Sequence, residues 1–226
     1  MKAMIFAAGR GERMRPLTDT RPKPLIEVRG KPLIEWHLLA LQRAGIKEVV
    51  INTAWLEEQI VQTLGSGERW GMTLHYSMEG RDHGGALETA GGIAKALPWL
   101  GDVFWVVSSD SFLPEFEFSA AAWERFASSA AWAHLWLVPN PEHHPKGDFA
   151  LASNGQVSDQ ALPRLTWSSV GLLRRELVAN VQVGIKQPLG PLLHAAAQQG
   201  RITGECYTGL WMDVGTLERL NALKQA

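Results

Sequence analysis

Within its first 23 residues the chain carries two glycines and six cations, four of them in a pattern suited to holding phosphate. Gly9 and Gly11 follow the apolar run Met4 to Ala8, and Arg10, Arg13, Arg15 and Lys23 crowd within fourteen residues. Glycine lets backbone N–H groups approach a ligand without a Cβ in the way, and arginine adds a fixed positive charge. Such a loop at the end of a buried strand points to nucleotide chemistry. Two familiar phosphate motifs fail on it. Met14 stands where the dinucleotide fingerprint needs a third small residue, and the Gly-Lys-Ser/Thr of a P-loop is absent. His143 and His144 have neither nearby cysteines nor a helical His-Glu-x-x-His pattern, so they are expected to be structural or neutral rather than a metal site.

An alternating fold must position these residues. After the first strand, Pro32 sits where a helix would begin, and Leu33, Ile34, Leu38, Leu41 and Ile46 give that helix a broad apolar face up to Gly45. A strand over 48–52, a helix over 56–64 closed by Gly65 and a strand over 72–76 follow. This alternation is the signature of a parallel α/β sheet. A helix from about Ala90 to Leu97 leads to the near-continuous apolar strand 103–107, which ends at Ser108-Ser109-Asp110. Ligands of open α/β sheets sit at the carboxyl ends of the strands, so Asp110 and the opening loop are expected on one edge. Beyond about Ala120 the pattern predicts a Trp- and Ala-rich helix, strands over 133–138, 148–152 and 165–173, and a helix over 189–199 that stops at Gly200. Thr216 is a natural N-cap for a last helix. The segment Arg81-Asp82-His83-Gly84-Gly85 reads as a flexible loop able to close over a ligand.

Composition sets the outer limits. A chain of 226 residues can bury the core of one large domain, here with a substrate lobe. With 22 Lys+Arg against 23 Asp+Glu and no long basic block, a nucleic-acid partner is not expected. The apolar run Ala3 to Ala8 is too short for a signal peptide, and no stretch approaches the roughly 20 residues of a membrane span, so a soluble, cytoplasmic protein without membrane contact is expected. The lone Cys206 rules out an internal disulfide, fits a reducing compartment, and is expected to be a small buried residue. Most of the ten tryptophans are expected in the core or at interfaces.

The run Ala7-Ala8-Gly9-x-Gly11-x-Arg13-Met14-x-Pro16-Leu17-Thr18, followed by Pro22-Lys23-Pro24-Leu25, resembles the signature of the sugar-1-phosphate nucleotidyltransferases. The resemblance covers nearly the whole length. It implies a Rossmann-like three-layer α/β sandwich with a mostly parallel central sheet and a small sugar-binding lobe, the nucleotide-diphospho-sugar transferase type. Residues 1–226 would form a single nucleotidyltransferase domain, with a nucleotide-binding part up to about residue 115 and a sugar-phosphate part from about 116. By this resemblance Arg13 and Lys23 neutralise charge as pyrophosphate departs. Ala8, Gly9, Arg10, Gly11 and Glu12 join them around the triphosphate; Arg10 and Arg15 also read as solvated charges or surface ion pairs. Asp110 and Asp213 match the family's two Mg²⁺ carboxylates, and hard oxygen ligands suit that ion. Leu87-Glu88-Thr89-Ala90-Gly91-Gly92 resembles an element whose backbone lines the nucleobase pocket, which brings in Ala90 and Gly91, with Glu79 before it and Ser109 beside Asp110. Gly147, Asp148 and Ser169 fall at the sugar-phosphate side.

Pro141-x-His143-His144-x-x-Gly147-Asp148-Phe149 and Trp211-x-Asp213-Val214-Gly215-Thr216-Leu217-Glu218-Arg219-Leu220 are most similar to the compact uridylyltransferases that act on N-acetylmuramate 1-phosphate in cell-wall recycling. The implied substrates are UTP and that sugar phosphate, whose lactyl carboxylate calls for a cation; Lys146 and Arg164 are candidates. Three positions depart from the family pattern: Ser109 and Ala90 replace glycines, and Ser169 stands where relatives tend to have one. Guanylyl or thymidylyl transfer to mannose, heptose or glucose 1-phosphate stays open, as does a catalytically silent nucleotide-binding regulator. The oligomeric state, monomer or dimer, is also left open.

Overall fold

A computed structural model describes residues 1–225. Seven strands form the main sheet: β1 (Lys2–Phe6), β2 (Glu48–Thr53), β3 (Thr73–Met78), β4 (Val103–Ser108), β5 (Ala133–Val138), β6 (Thr166–Arg174) and β7 (Ile202–Cys206). Their spatial order is β7-β5-β6-β4-β1-β2-β3. β1 runs parallel to both β2 and β4, β2 to β3, and β7 to β5; only β6 is antiparallel to its neighbours β4 and β5. The expected mostly parallel α/β sheet is therefore the observed one.

Alternation along each strand divides the core in two. Ala3, Ile5 and Ala7 of the first strand and its extension face one cluster, while Met4 and Phe6 face the other; β4 does the same with Trp105 and Val107 against Phe104 and Val106. Both faces are buried, which is why these strands read as continuous apolar runs. Helices α1 (Leu33–Arg43), α2 (Glu57–Leu64) and α4 (Ala120–Ala127) cover the first face through Leu38, Ile60 and Phe126. On the other face lie α3 (Glu88–Ala96) and α5 (Gly190–Gln198), through Ile93 and Leu193. α1 stops where its sequence says: Gly45 takes φ +72° and Ile46 N–H reaches back to the Leu41 carbonyl at 3.0 Å, a glycine-ended turn that satisfies late helix carbonyls.

A third, smaller cluster matters most for the site. Met14 from the opening loop, Val28, Phe112, Val214, and Leu220 and Leu223 from α6 (Leu217–Gln225) bury against one another. At about 1.5–3 kcal/mol for each large side chain, this cluster ties the first loop to a segment two hundred residues away. Thr216 caps α6 as expected, its hydroxyl accepting from Arg219 N–H at 3.3 Å.

Several expectations change. Cys206 is exposed rather than buried, because β7 is the outer strand and leaves the core after Gly204. Residues 79–83 form a short helix, not a flexible loop, since Glu57 Oε1 accepts the Arg81 N–H at 2.7 Å and Lys95 pairs with Asp82. β7 itself, short and interrupted by Gly204, went unread in the sequence. Of the strand expected over 148–152, Ala150–Leu151 pairs with Val157–Ser158 in a separate ribbon and Phe149 forms a single antiparallel bridge with Leu165. Among the described residues no helix is long and apolar enough to cross a membrane.

Candidate active site

The opening loop leaves the carboxyl end of β1 and lines a cavity of about 670 Å³. Its shape is fixed from outside the loop. Ala7 N–H donates to Asn52 Oδ1 at 2.9 Å, and Thr18 Oγ1 donates to the Gly11 carbonyl at 2.8 Å. Gly11 takes φ +69°, and a Cβ there would lie 3.0 Å from the Thr18 methyl, so the turn requires glycine on both counts. Ala8, Gly9, Arg10, Gly11, Glu12 and Arg13 all line the cavity. Arg10 is already committed: it donates to the Thr18 carbonyl and Asp19, and its guanidinium stacks 3.4 Å over the Trp55 ring. Arg15 pairs with Asp19 outside the cavity. Arg13 is exposed and forms no ion pair among the described residues.

Lys23 and Asp110 meet across this space, Nζ to Oδ2 at 2.6 Å, with the Lys23 side chain 10% exposed. Ser108 Oγ donates to Asp110 Oδ1 at 2.6 Å. Burial pushes the Asp110 carboxyl up, but the Lys23 ammonium and the Ser108 hydroxyl outweigh it and hold it below the usual carboxylate range. Asp213 reaches the same edge through a two-stranded ribbon in which Ser111–Phe112 pairs with Met212–Asp213. Val214 N–H donates to the Asp110 carbonyl at 2.7 Å, so the two aspartates stand on paired strands. Asp213 is held by Arg219 and His143, and Gly215 beside it lines the cavity. Beneath the ribbon, His37 of α1 is buried.

Of the remaining sequence-selected residues only Ser109 lines this cavity. Glu79 is fully buried, accepting from Asn52 Nδ2 at 2.8 Å and Leu87 N–H at 2.7 Å. Burial raises its pKa against the lowering effect of those two donors and Lys95. It braces the loop through Asn52 and does not line the cavity. The amides of Ala90 and Gly91 both donate to the Gln187 carbonyl, at 2.9 and 3.1 Å, because the segment before α5 lies across the start of α3. Ser109 lines the cavity and is tied to β1 by its N–H bond to the Phe6 carbonyl. Asp148 is fully engaged: Oδ1 contacts His144 Nε2 at 3.0 Å and Oδ2 accepts Trp167 N–H at 2.8 Å. Gly147 packs so tightly that a Cβ would lie 2.9 Å from the Arg164 and Leu165 carbonyl carbons. Ser169 takes φ +65° within an irregular stretch of β6. Lys146 and Arg164 line a second, shallower cavity, and the Arg164 guanidinium donates to the Asp159 carbonyl.

Asn52, Glu88, Thr89 and Lys186 also line the main cavity, although sequence reasoning did not select them for it. Glu88 takes φ +62°, a conformation that no helical or strand pattern announces. Lys186 arrives from a segment with no motif of its own. His143 and Arg219 had a signal, since both belong to the motifs quoted around Asp148 and Asp213, but no feature of the sequence ties them to each other.

Residues 2–159 match the nucleotidyl transferase family. Among relatives, the N-acetylmuramate alpha-1-phosphate uridylyltransferase of Neisseria meningitidis serogroup B is 50% identical, covering 97% of this chain and 95% of that protein. The protein of the same description from Caulobacter vibrioides is 33% identical over 94% of this chain and 91% of its own length. The UTP–glucose-1-phosphate uridylyltransferase of Synechocystis is 31% identical over 82% of this chain, which spans only 48% of that longer protein. A solved structure from Bacillus anthracis, described as a glucose-1-phosphate thymidylyltransferase in complex with a sucrose, superposes with a TM-score of 0.82 at 20% identity, covering 100% of this chain and 94% of that one; it shows the shared fold. A family match running from the first strand past the 140–148 loop, with a relative sharing half its residues almost end to end, makes this chain a member of the nucleotidyl transferase family.

Proposed function

We propose that the protein transfers a uridylyl group from UTP to N-acetylmuramate 1-phosphate, forming the UDP-sugar and pyrophosphate. The observation that carries the transferase reading is one cavity lined by the glycine- and arginine-bearing loop together with Lys23 and Asp110. The choice of substrates rests on the 50% identical relative, which is described as acting on that sugar phosphate. Residues up to about 115 take the nucleotide and residues from about 116 the sugar phosphate, except that Asp213 and Gly215 return to the nucleotide edge.

In this reading an oxygen of the sugar 1-phosphate attacks the α-phosphorus of UTP, and the bond from that phosphorus to the bridging oxygen of the β-phosphate breaks. Backbone groups from Ala8 to Glu12 and the Arg13 guanidinium hold the triphosphate, and Lys23 carries positive charge to the leaving pyrophosphate. Asp110 and Asp213 suit Mg²⁺: two carboxylates on paired strands are hard oxygen donors, and this ion is commonly held by one or two carboxylates with substrate phosphates completing its shell. Bound there, Mg²⁺ would align the reacting phosphates and offset their charge. Lys23 on Asp110 and Arg219 on Asp213 supply the compensating charge in its place. Asn52 and the buried Glu79 keep the loop rigid under this load. Asp148 positions the 140–148 loop through His144 and Trp167, and Gly147 and Ser169 shape the sugar side around it.

A panel of UTP, TTP, GTP and CTP against N-acetylmuramate, glucose and mannose 1-phosphates, reading pyrophosphate, tests the assignment. UTP with N-acetylmuramate 1-phosphate should lead by at least about tenfold in kcat/KM. Another preferred pair reassigns the substrates, and no turnover with any pair returns the chain to a silent nucleotide binder. Asp213→Ala should lose activity by roughly a thousandfold; near-normal release of pyrophosphate removes Asp213 from the mechanism.

A further inference from the structure

More positive charge gathers at Asp213 than one carboxylate balances. Arg219 Nη1 donates to both Asp213 oxygens, and His143 Nε2 lies 2.9 Å from Oδ1 and 2.6 Å from Arg219 Nη1. A single ring nitrogen cannot serve both contacts: as a donor it opposes the guanidinium, and as an acceptor it opposes the carboxylate. A Cβ built on Gly215 would lie 3.0 Å from Arg13 Nη2 and closer still to Arg219 Nη2, so both guanidiniums come close to this residue. Arg219 is no surface charge in passing. Its side chain is 15% exposed, and its Nε is fixed on Thr216 Oγ1 at 3.3 Å at the start of α6. A forked donor and an imidazole crowded on one carboxylate, with the Arg13 guanidinium of the triphosphate side close by, fit a phosphate, which offers several oxygens, better than a carboxylate that offers two.

We propose that Arg219, with His143 beside it, binds the phosphate of the sugar 1-phosphate, and that Asp213 holds this guanidinium until that phosphate arrives. The inference rests on the transferase reading above and goes beyond it. The acceptor phosphate is the one assigned because His143 belongs to the 140–148 loop, which Asp148 ties to β6, whereas the triphosphate side has its own loop, Arg13 and Lys23. When the phosphate draws Arg219 away, both Asp213 oxygens are released to a divalent cation. Sugar phosphate and cation therefore bind cooperatively, and by linkage each strengthens the other to the same degree.

Mn²⁺ titrations of the nucleotide-free protein, followed by the electron paramagnetic resonance of free Mn²⁺, test this directly. In the wild type, saturating N-acetylmuramate 1-phosphate should tighten Mn²⁺ binding about tenfold. Arg219→Ala should bind Mn²⁺ about tenfold more tightly without any sugar phosphate and should no longer respond to it. In steady state the same variant should raise KM for the sugar phosphate by roughly 10–100-fold while leaving KM for UTP within about threefold. Arg219→Lys, which keeps the charge but not the fork, should fall between, and it carries the test if the alanine variant melts early. Equal Mn²⁺ affinity in wild type and both variants, or equal rises in both KM values, overturns the proposal. If the wild type turns over no substrate pair, the transferase reading fails on its own, and the Mn²⁺ titrations still decide whether Arg219 holds Asp213.

Discussion

Acidification from about pH 7.5 to about pH 4.5 should remove about 2.5 kcal/mol of folding stability through His37 alone. His37 lies on α1 beneath the ribbon that carries Asp110, is 2% exposed, and its Nε2 has no hydrogen-bond partner. Burial lowers its pKa from 6.5 to about 4; the charge on Asp110 and the backbone at Ser111 and Ser108 favour the protonated ring but do not win. Between those two values the unfolded chain takes up a proton that the folded chain refuses. Stability is therefore complete above about pH 6.5 and falls as the pH drops toward 4, a difference of 2.5 pKa units at about 1.4 kcal/mol each. His37→Leu removes the titrating ring and its unpaired nitrogen, and with them the ring's contacts to the backbone at Ser111 and Ser108. At neutral pH this variant should lie within about 1–3 kcal/mol of the wild type, because removing the unpaired nitrogen and losing the ring's backbone contacts act in opposite directions. Urea unfolding followed by tryptophan fluorescence at several pH values is the assay. With a slope near 3 kcal/mol per molar urea, the midpoint of the wild type should fall relative to that of the variant by about 1 M over this range. Midpoints that fall in parallel would show that His37 is not held neutral by burial and would refute the reasoning.

Three further outcomes follow from the geometry. Ser169→Gly should relieve the left-handed backbone at φ +65° and raise stability by about 1 kcal/mol, or about 2–4 °C in Tm, read by scanning calorimetry; an unchanged or lower Tm contradicts strain at this residue. Gly92→Ala should destabilise the fold by about 1–3 kcal/mol, because its Cβ would lie 2.7 Å from Glu79 Oε1 and 2.8 Å from Asn52 Nδ2, and wild-type stability in urea would mean that the bridge tolerates displacement. Cys206 should react with a thiol reagent in the native protein as fast as a model thiol, and a need for denaturant would contradict its exposure.

The layered α/β class and much of the phosphate side of the site can be read from the residues alone. Strands buried on both faces read as unbroken apolar runs, glycines in left-handed turns mark helix ends such as Gly45, and the opening loop is local, with its glycines and cations within one short stretch. Lys23 and Asp110 were selected separately as residues of one site, and their 2.6 Å ion pair shows that they meet. The remainder depends on how distant segments pack. Periodicity records which face of an element is buried, not which element covers it, so the crossing of 185–189 over α3, which takes up the amides of Ala90 and Gly91, left no mark in the sequence. β7 is an outer strand whose far edge meets Gly155 and Gln156, too short and too polar at its end to announce itself, and its position explains why Cys206 faces water. Glu88 and Lys186 line the cavity through a left-handed backbone and a long loop, neither of which follows from residue type. Arg219, His143 and Asp213 meet because the cluster of Met14, Phe112, Val214 and Leu220 buries apolar surface and draws the C-terminal helix onto the opening loop. That contact is set by packing between distant segments, and no local pattern of residues encodes it.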